Sequence, residues 1–307
     1  MFRRIVSLFL AALMLTAGLS VLAEESMITV TDMYGREITL TEPATRIVAM
    51  QPSDCEILWA LGCEDALVGV GQYCDYPASI ADLPVVQSGQ ETNIEEILAL
   101  NPQVVLMNDM SQSEEQVQQL EQNGVKVVIS KATDLDGVYY AVRMIGQLMD
   151  RENSAEALIA DMQKTFGEIR EKSADEGKTV YFEVSPLQWG LWTAGKGTFM
   201  DELASVCGLT NAFADVDGWA SVSEEQVIAR DPDYIVTITM YYGEGPTPVE
   251  EIMSREGWQD MKAVKNAQVF NASDSNALSR PGPRLKDAAI ELYGFIHGTA
   301  EEESPAA

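Results

Sequence analysis

Hydrophobic and polar positions alternate along the chain with two periods, and their order predicts an α/β fold. Short apolar runs typical of buried parallel strands lie at residues 46–50, 67–70, 104–107 and 125–129. Residues 53–61 have helical spacing, and Ser53 with Glu56 predicts a capping box at the start of that helix. Strands that alternate with helices favour a βαβ-type lobe, which we expect over residues 27–134 with a hairpin at 28–40.

The alternation resumes in the second half of the chain after a helical stretch. Residues 155–172 are long enough to form one continuous helix, so we expect a helical connector at 135–176 that contains a long bridging helix. Strand and helix patterns then follow up to a closing helix at residues 283–296. They predict a second α/β lobe at 177–299.

Two segments of the chain repeat one another. Residues 93–105 can be laid on residues 223–235 with a constant offset of 130, which places Glu95 on Glu225. In both copies a cap residue is followed three positions later by Glu or Gln, so each copy opens a short helix. The repeat predicts two similar Rossmann-like lobes bridged by a single long α-helix.

The two ends of the chain differ in composition from the residues between them. Arg3 and Arg4 precede an apolar stretch, and small residues up to Ala23 predict a signal peptide at residues 1–23, with an uncleaved anchor helix as the alternative. Because no cysteine lies near that junction, we expect a soluble exported protein, periplasmic or extracellular, and not a lipoprotein. Residues 300–307 predict a disordered acidic tail.

The chain is strongly acidic, with a net charge of −28. Such a field repels phosphate backbones and anionic membranes, so we expect no nucleic-acid partner and no direct membrane insertion. A monomer is expected.

If the protein is exported, its four cysteines are exposed to an oxidising compartment, where disulfides can form. Cys55 and Cys63 lie about 12 Å apart along one predicted helix, beyond the roughly 7 Å limit between bridged Cα atoms. Cys74 could pair with Cys55 or Cys63, and four free thiols, with Cys207 as the fourth, are the alternative.

The sequence offers few residues for catalysis. His297 is the only histidine and follows the last predicted helix, which suits neither a general base nor a histidine-rich metal site. Residues 190–197 resemble a phosphate loop, but Gly197 stands where the magnesium-binding Ser or Thr belongs. We therefore expect no catalytic residue, no metal site and no resident cofactor, with an exported metal-dependent enzyme on a duplicated α/β scaffold as the alternative.

Short motifs occur in a fixed order between residues 29 and 295. They are Asp32 with Gly35 and Arg36, then 46–48, Tyr73 with 75–77, 93–95, 193–196, Trp219 with 222–227, and 280–284. In order and spacing they resemble the substrate-binding proteins of iron-siderophore, haem and cobalamin ABC importers, and the local similarity is highest to the cobalamin-binding members.

The resemblance implies that the chain captures an iron complex (siderophore or haem) or a corrinoid and delivers it to the permease subunits. It places a ligand cleft between the lobes, lined by Tyr73, Trp192, Trp219, Asp274 and Arg280. Cobalamin-binding members have a cleft tryptophan where this chain has Gly89 or Gln90, so corrinoid, haem and ferric siderophore all stay open. A sensing or scavenging module without a permease is a further alternative.

The resemblance also implies that each lobe presents one glutamate to arginines of the permease. These residues match Glu95 and Glu225. The alternative is that each merely complements the dipole of its helix, which is worth roughly 0.3–1 kcal/mol without any partner.

Overall fold

The computed structural model describes residues 27–89, 92–108, 113–174 and 176–298. The predicted signal peptide at 1–23 and the predicted tail at 300–307 lie outside the described residues. None of the helices within the described ranges is both long and apolar enough to cross a membrane.

The first lobe is built on one parallel sheet. Its strands are β3 (Ile47–Ala49), β4 (Leu67–Gly71), β5 (Val85–Val86), β6 (Val104–Met107) and β7 (Lys126–Ile129). Their spatial order is β5-β4-β3-β6-β7. The helices of this lobe are α1 (Pro52–Ala60), α2 (Ile94–Ala99) and α3 (Glu114–Gln122). Parallel strands need such crossover helices, which is why the apolar runs and helical patterns alternate along the sequence.

The predicted hairpin is confirmed and consists of β1 (Ile28–Thr31) and β2 (Glu37–Leu40). Buried Asp32 fastens it to the first lobe, because its carboxylate accepts from the Ile129 amide at 3.1 Å and pairs with Arg36 at 2.7 Å. The hairpin therefore lies against the end of β7.

The connector consists of α4 (Leu135–Leu148) and α5 (Glu152–Lys172). They are separated where Asp150 adopts a φ of 54°, a left-handed conformation that ends a helix. The buried residues of α5 recur every three to four positions, which is the spacing of one helix face, and are Ala155, Ile159, Met162, Phe166 and Ile169. This face packs on α4 and on two helices of the second lobe, α6 (Phe199–Val206) and α11 (Leu285–His297).

The second lobe combines parallel and antiparallel strands. They are β8 (Thr179–Ser185), β9 (Trp192–Ala194), β10 (Thr210–Asn211), β11 (Trp219–Ser221), β12 (Tyr234–Thr237) and β13 (Val269–Asn271). The order is β11-β9-β8-β12-β13, with β10 also paired to β8. Further helices are α7 (Glu224–Arg230), α8 (Pro248–Ser254), α9 (Lys262–Lys265) and α10 (Ser275–Ser279). The antiparallel pairs of β9 with β8 and β11 distinguish this sheet from the first.

One apolar core runs through both lobes and the connector. It contains Val104 of the first sheet, Ile159 of α5 and Val236 of the second sheet. Each sheet packs a separate smaller cluster on its other face. The two lobes and the connector are therefore packed on one continuous core.

The predicted capping box at Ser53 and Glu56 is wrong. Helix α1 begins at Pro52, and its N-cap is Gln51, which makes no side-chain capping bond. A proline at the first helical position needs no backbone partner, so the N-cap shifts by two residues, from Ser53 to Gln51. The Glu56 side chain is thereby free to face the second lobe.

All four cysteines are free thiols. Cys55 and Cys74 are neighbours, and their hydrogen bond, together with burial, raises the pKa of the Cys55 thiol well above its ordinary value. The structure therefore places Cys74, and not Cys63, beside Cys55.

Candidate functional site

The carboxyl ends of β8 and β12 border a cavity of about 660 Å³ in the second lobe. In open α/β sheets ligands bind outside the carboxyl ends of the strands, because loops there leave the sheet in opposite directions. Three aromatic side chains line the cavity and remain open to solvent, with exposures of 76% for Trp189, 47% for Tyr241 and 83% for Tyr242. Exposed aromatic surface of this extent is suited to a flat, bulky ligand.

The charged residues of the cavity are Glu183, Glu244 and Glu251. Two of them enclose Arg255, which bonds Glu183 through both terminal nitrogens at 2.6 and 2.9 Å and Glu251 through Nε at 3.0 Å. Burial works against ionisation of this guanidinium, but its hydrogen bonds to both carboxylates raise the pKa of Arg255 above its ordinary value. Burial raises the pKa of the Glu183 carboxyl, whereas the hydrogen bonds from Arg255 act to lower it. One guanidinium is thus shared between two carboxylates.

Trp258 lies behind this triad and connects it to α7. Its buried ring lies 4.5 Å from the Arg255 guanidinium, and its Nε1 donates to Glu224 at 2.9 Å. Glu224, the first acidic residue of α7, is therefore held by a hydrogen bond from Trp258.

A second group of charges joins the two lobes. Arg280, from the end of α10, donates to Asp75 at 2.6 Å, to Glu56 at 3.4 Å and to the Tyr73 carbonyl at 3.1 Å. Asn276 adds a bond to Asp75 at 3.2 Å. The two terminal nitrogens of Arg280 thus donate to carboxylates and a carbonyl of the first lobe.

Arg284 completes this interlobe network. It donates to Glu56 at 2.7 Å and to Asp274, and its guanidinium lies 4.1 Å from the centre of the Tyr76 ring. Burial opposes ionisation, yet the hydrogen bonds to Glu56 and Asp274 raise the pKa of Arg284 above its ordinary value. Glu56 has an exposure of 1% and is held between the two arginines.

The five predicted ligand residues fall into two groups. Tyr73, Asp274 and Arg280 belong to the interlobe network, where the Tyr73 ring remains 67% exposed. Trp192 and Trp219 lie on the paired strands β9 and β11, and their register places both side chains on one face of the sheet. Both are partly exposed, and Trp219 packs on Phe199. No contact recorded among the described residues joins these two groups.

Glu95 and Glu225 each occupy the second position of a short capped helix and are exposed. Asn93 accepts from the amides of Glu95 and Glu96, and Ser223 forms a complete capping box with Gln226. Hydrogen bonds from its own amide and from Ser223 lower the pKa of Glu225. Glu225 is therefore ionised and accessible, whereas its neighbour Glu224 is bonded to Trp258.

Several residues of the site did not stand out in the sequence. Glu56 was assigned to a local capping box, and its partners lie more than two hundred positions away. Trp189, Tyr241 and Tyr242 carried a usable signal, since each lies in the loop that follows an apolar run of strand length, where parallel sheets place their ligand loops. Nothing in the local sequence marked Asp54, whose burial raises its pKa to about 7 against a smaller opposing effect of the Ser130 hydroxyl.

Within the described ranges, no group of three or more His, Cys, Asp or Glu residues is arranged to hold a metal ion.

Comparison with known proteins agrees with this architecture. Residues 47–275 match the model of the Periplasmic binding protein family. An uncharacterized ABC transporter substrate-binding lipoprotein of Bacillus subtilis, YvrC, is 33% identical over 88% of this chain and 85% of its own length. A vitamin B12-binding protein of Vibrio cholerae is 28% identical over 83% of this chain and 90% of its own length.

A solved structure of a periplasmic solute-binding protein is also similar to this chain. A possible iron-binding periplasmic solute-binding protein of Staphylococcus epidermidis superposes with a TM-score of 0.68 at 31% identity, covering 82% of this chain and 98% of that one. The predicted resemblance and the two-lobed α/β fold are confirmed. The chain therefore belongs to the periplasmic binding protein family, the substrate-binding proteins that serve ABC transporters.

Proposed function

We propose that this protein captures a corrinoid for an ABC importer and presents it to the permease through Glu95 and Glu225. The observation that carries the ligand proposal is the cavity at the carboxyl ends of β8 and β12, with three exposed aromatic side chains. A corrinoid is a large, flat macrocycle with amide side chains, so aromatic surface and few charges suit it. The relatives described as vitamin B12-binding support the same choice.

The interlobe network supports this choice over an anionic chelate. Arg280 is the one basic residue among the five predicted ligand residues, and its two terminal nitrogens are bonded to Asp75, Glu56 and the Tyr73 carbonyl. A haem propionate or a ferric catecholate would have to compete with these groups for the guanidinium. A neutral ligand does not compete with these groups for Arg280. Tyr73, Trp192 and Trp219 are proposed to contact the ligand through their exposed rings, and Asp274 and Arg280 to shape the cleft.

An absorption titration tests the ligand. Cyanocobalamin, haemin and a neutral ferric hydroxamate are added separately to the purified mature protein, and binding is followed in the visible region and by calorimetry. We expect tight one-to-one binding of cyanocobalamin. Exclusive binding of haemin or of the iron complex would refute the corrinoid proposal and leave the importer role standing.

The docking proposal rests on the equivalent positions of Glu95 and Glu225, one on each lobe. Since Glu224 is bonded to Trp258, Glu225 is the acidic residue at the start of α7 that is available to a partner. Reversal of Glu95 and Glu225 to Lys should abolish uptake in cells while ligand affinity stays unchanged. The matched control is Glu96→Lys, an exposed charge reversal one position further along α2, which should leave uptake largely intact.

Loss of ligand affinity in the Glu95→Lys, Glu225→Lys variant would contradict the docking role. Normal uptake by that variant would contradict it too. A module without a permease predicts that neither variant changes the cellular ligand content, so the same assay separates the alternatives.

We also propose that the ligand leaves the protein chemically unchanged and that no resident cofactor is required. His297, the single histidine, faces the Cys207 carbonyl at 3.1 Å and lies apart from the cavity. Mass spectrometry of the recovered ligand checks this, because any turnover would alter its mass.

The mature chain is proposed to be a monomer released in soluble form after cleavage behind Ala23. The first cysteine is Cys55, far from that junction. The Bacillus subtilis relative is a lipoprotein, so lipid anchoring is the contrasting case. An intact mass that begins at Glu24 supports the proposal, and a mass increment for acyl chains would refute it.

A further inference from the structure

The charged side chains that line the cavity of the second lobe are all acidic. Its lining contains Glu183, Glu244 and Glu251, and among the described residues that border it there is no Lys, Arg or His. The nearest guanidinium, that of Arg255, lies beneath this surface with a side-chain exposure of 2%.

Arg255 cannot serve a ligand in this arrangement. Glu183, with a side-chain exposure of 1%, takes both terminal nitrogens, and Glu251 takes Nε together with one of them. A guanidinium has five donor hydrogens in a fixed plane, and two carboxylates approaching from two sides use the plane that an anion would need. The triad therefore presents excess negative charge to the cavity.

Glu251 is the member that a ligand meets. Its side chain is 39% exposed, against 1% for Glu183. It belongs to α8, whose start is fixed by the Thr247 and Glu250 capping box, so its position along the cavity wall is set by the helix. The aromatic side chains of Trp189, Tyr241 and Tyr242 lie on the same cavity and attract positive charge through their ring faces.

We infer that this cavity selects ligands whose face toward the second lobe is uncharged or positively charged, and that Glu251 is the residue that sets this preference. The inference rests on the proposed capture of a corrinoid. A carboxylate on that face meets Glu251 and Glu244 in a partly desolvated space, where like charges repel strongly. Removal of the Glu251 charge weakens this repulsion and leaves Arg255 paired with the charge of Glu183 alone.

The test uses two corrinoids that differ by one charge. Cyanocobalamin is neutral, and its monocarboxylic acids carry one carboxylate in place of a side-chain amide. Calorimetric titration of the mature protein should give dissociation constants for the monocarboxylates at least about tenfold higher than that for cyanocobalamin. In the Glu251→Gln variant the difference should shrink to about threefold or less.

Glu250→Gln is the matched control. It removes one negative charge from the neighbouring position of α8, keeps a side chain able to complete the capping box, and lies outside the cavity lining. The gap between neutral and anionic corrinoids should persist in this variant. An equal reduction in both variants would show a general field effect and would overturn the role of Glu251.

Failure of the inference and failure of the proposed ligand give different results. Equal affinity of the wild-type protein for cyanocobalamin and all its monocarboxylates overturns charge selection while the corrinoid proposal stands. Absence of cyanocobalamin binding refutes the ligand and the inference built on it together. Stronger binding of haemin, which carries two propionates, overturns both.

Discussion

Glu56 gives the sharpest test of how the two lobes are held together. The substitution Glu56→Gln keeps the shape of the side chain and one acceptor oxygen but removes the charge between Arg280 and Arg284. Glu56 is 1% exposed, and the two arginine side chains are 9% and 12% exposed, so water can compensate little of the loss.

The magnitude follows from the partners that remain. Loss of one member of a buried ion pair costs about 3–5 kcal/mol when the other charge is left without a partner. Here Arg280 retains Asp75 at 2.6 Å and the Tyr73 carbonyl at 3.1 Å, and Arg284 retains Asp274. We therefore expect a smaller decrease in the free energy of unfolding, about 2–3 kcal/mol.

Urea denaturation followed by tryptophan fluorescence measures this difference. The midpoint should fall, and the slope should stay constant, because the surface exposed on unfolding does not change. The matched control is Glu156→Gln, which removes the same charge from an Arg143 pair whose side chains are 47% and 57% exposed. Exposed pairs contribute little, so this variant should unfold almost like the wild type.

Two results would refute the reasoning. One is a loss below about 1 kcal/mol for Glu56→Gln, since that would mean that water already solvates the network. The other is an undiminished cost of Arg284→Met in the Glu56→Gln background. If the two side chains interact directly, the double variant should lose less than the sum of the single variants.

Three further variants test other parts of the structure. Asp54→Asn should become increasingly stabilising relative to the wild type as the pH rises from 4 to 7 and should then level off. Burial raises the pKa of Asp54 in the folded protein to about 7, so over this range the unfolded chain releases the Asp54 proton while the folded protein keeps it, which lowers wild-type stability by at most about 4 kcal/mol; a pH-independent difference in urea midpoints would exclude this. Trp258→Phe removes the hydrogen-bond donor to half-buried Glu224 and should lower the free energy of unfolding by about 1.5–3 kcal/mol; an unchanged urea midpoint would show that the 2.9 Å bond does not stabilise the fold. Gly195→Ala should destabilise the fold by more than about 2 kcal/mol, since the added Cβ would lie 2.1 Å from the Val216 carbonyl oxygen, and a wild-type melting temperature would contradict that close approach.

Gly195 also explains the resemblance of residues 190–197 to a phosphate loop. Its amide donates to the Gly218 carbonyl at 2.7 Å, and the Lys196 amide donates to the Val216 carbonyl at 2.7 Å. The glycine is needed because two backbone segments approach closely. The backbone amides that would bind a phosphate are therefore already engaged.

The sequence by itself determined the elements and their order. Apolar runs of strand length and helical patterns of period 3.6 depend on neighbours within a few residues, so the strands, the long helix α5 and the duplicated starts of α2 and α7 could be predicted locally. Glu95 and Glu225 were found for the same reason, since a repeat and a helix cap are local signals.

Only the tertiary structure decided the partners of the charged residues. Glu56 lies in α1 and bonds Arg280 and Arg284 from the far end of the chain, and Arg255 bonds Glu183 across 72 positions. The family resemblance implied that Arg280 lines a ligand cleft, but it could not show that Asp75, Glu56 and the Tyr73 carbonyl bond its terminal nitrogens. The free energy of a buried charge depends on which opposite charge the fold brings within about 4 Å, and that distance is fixed by packing of whole lobes.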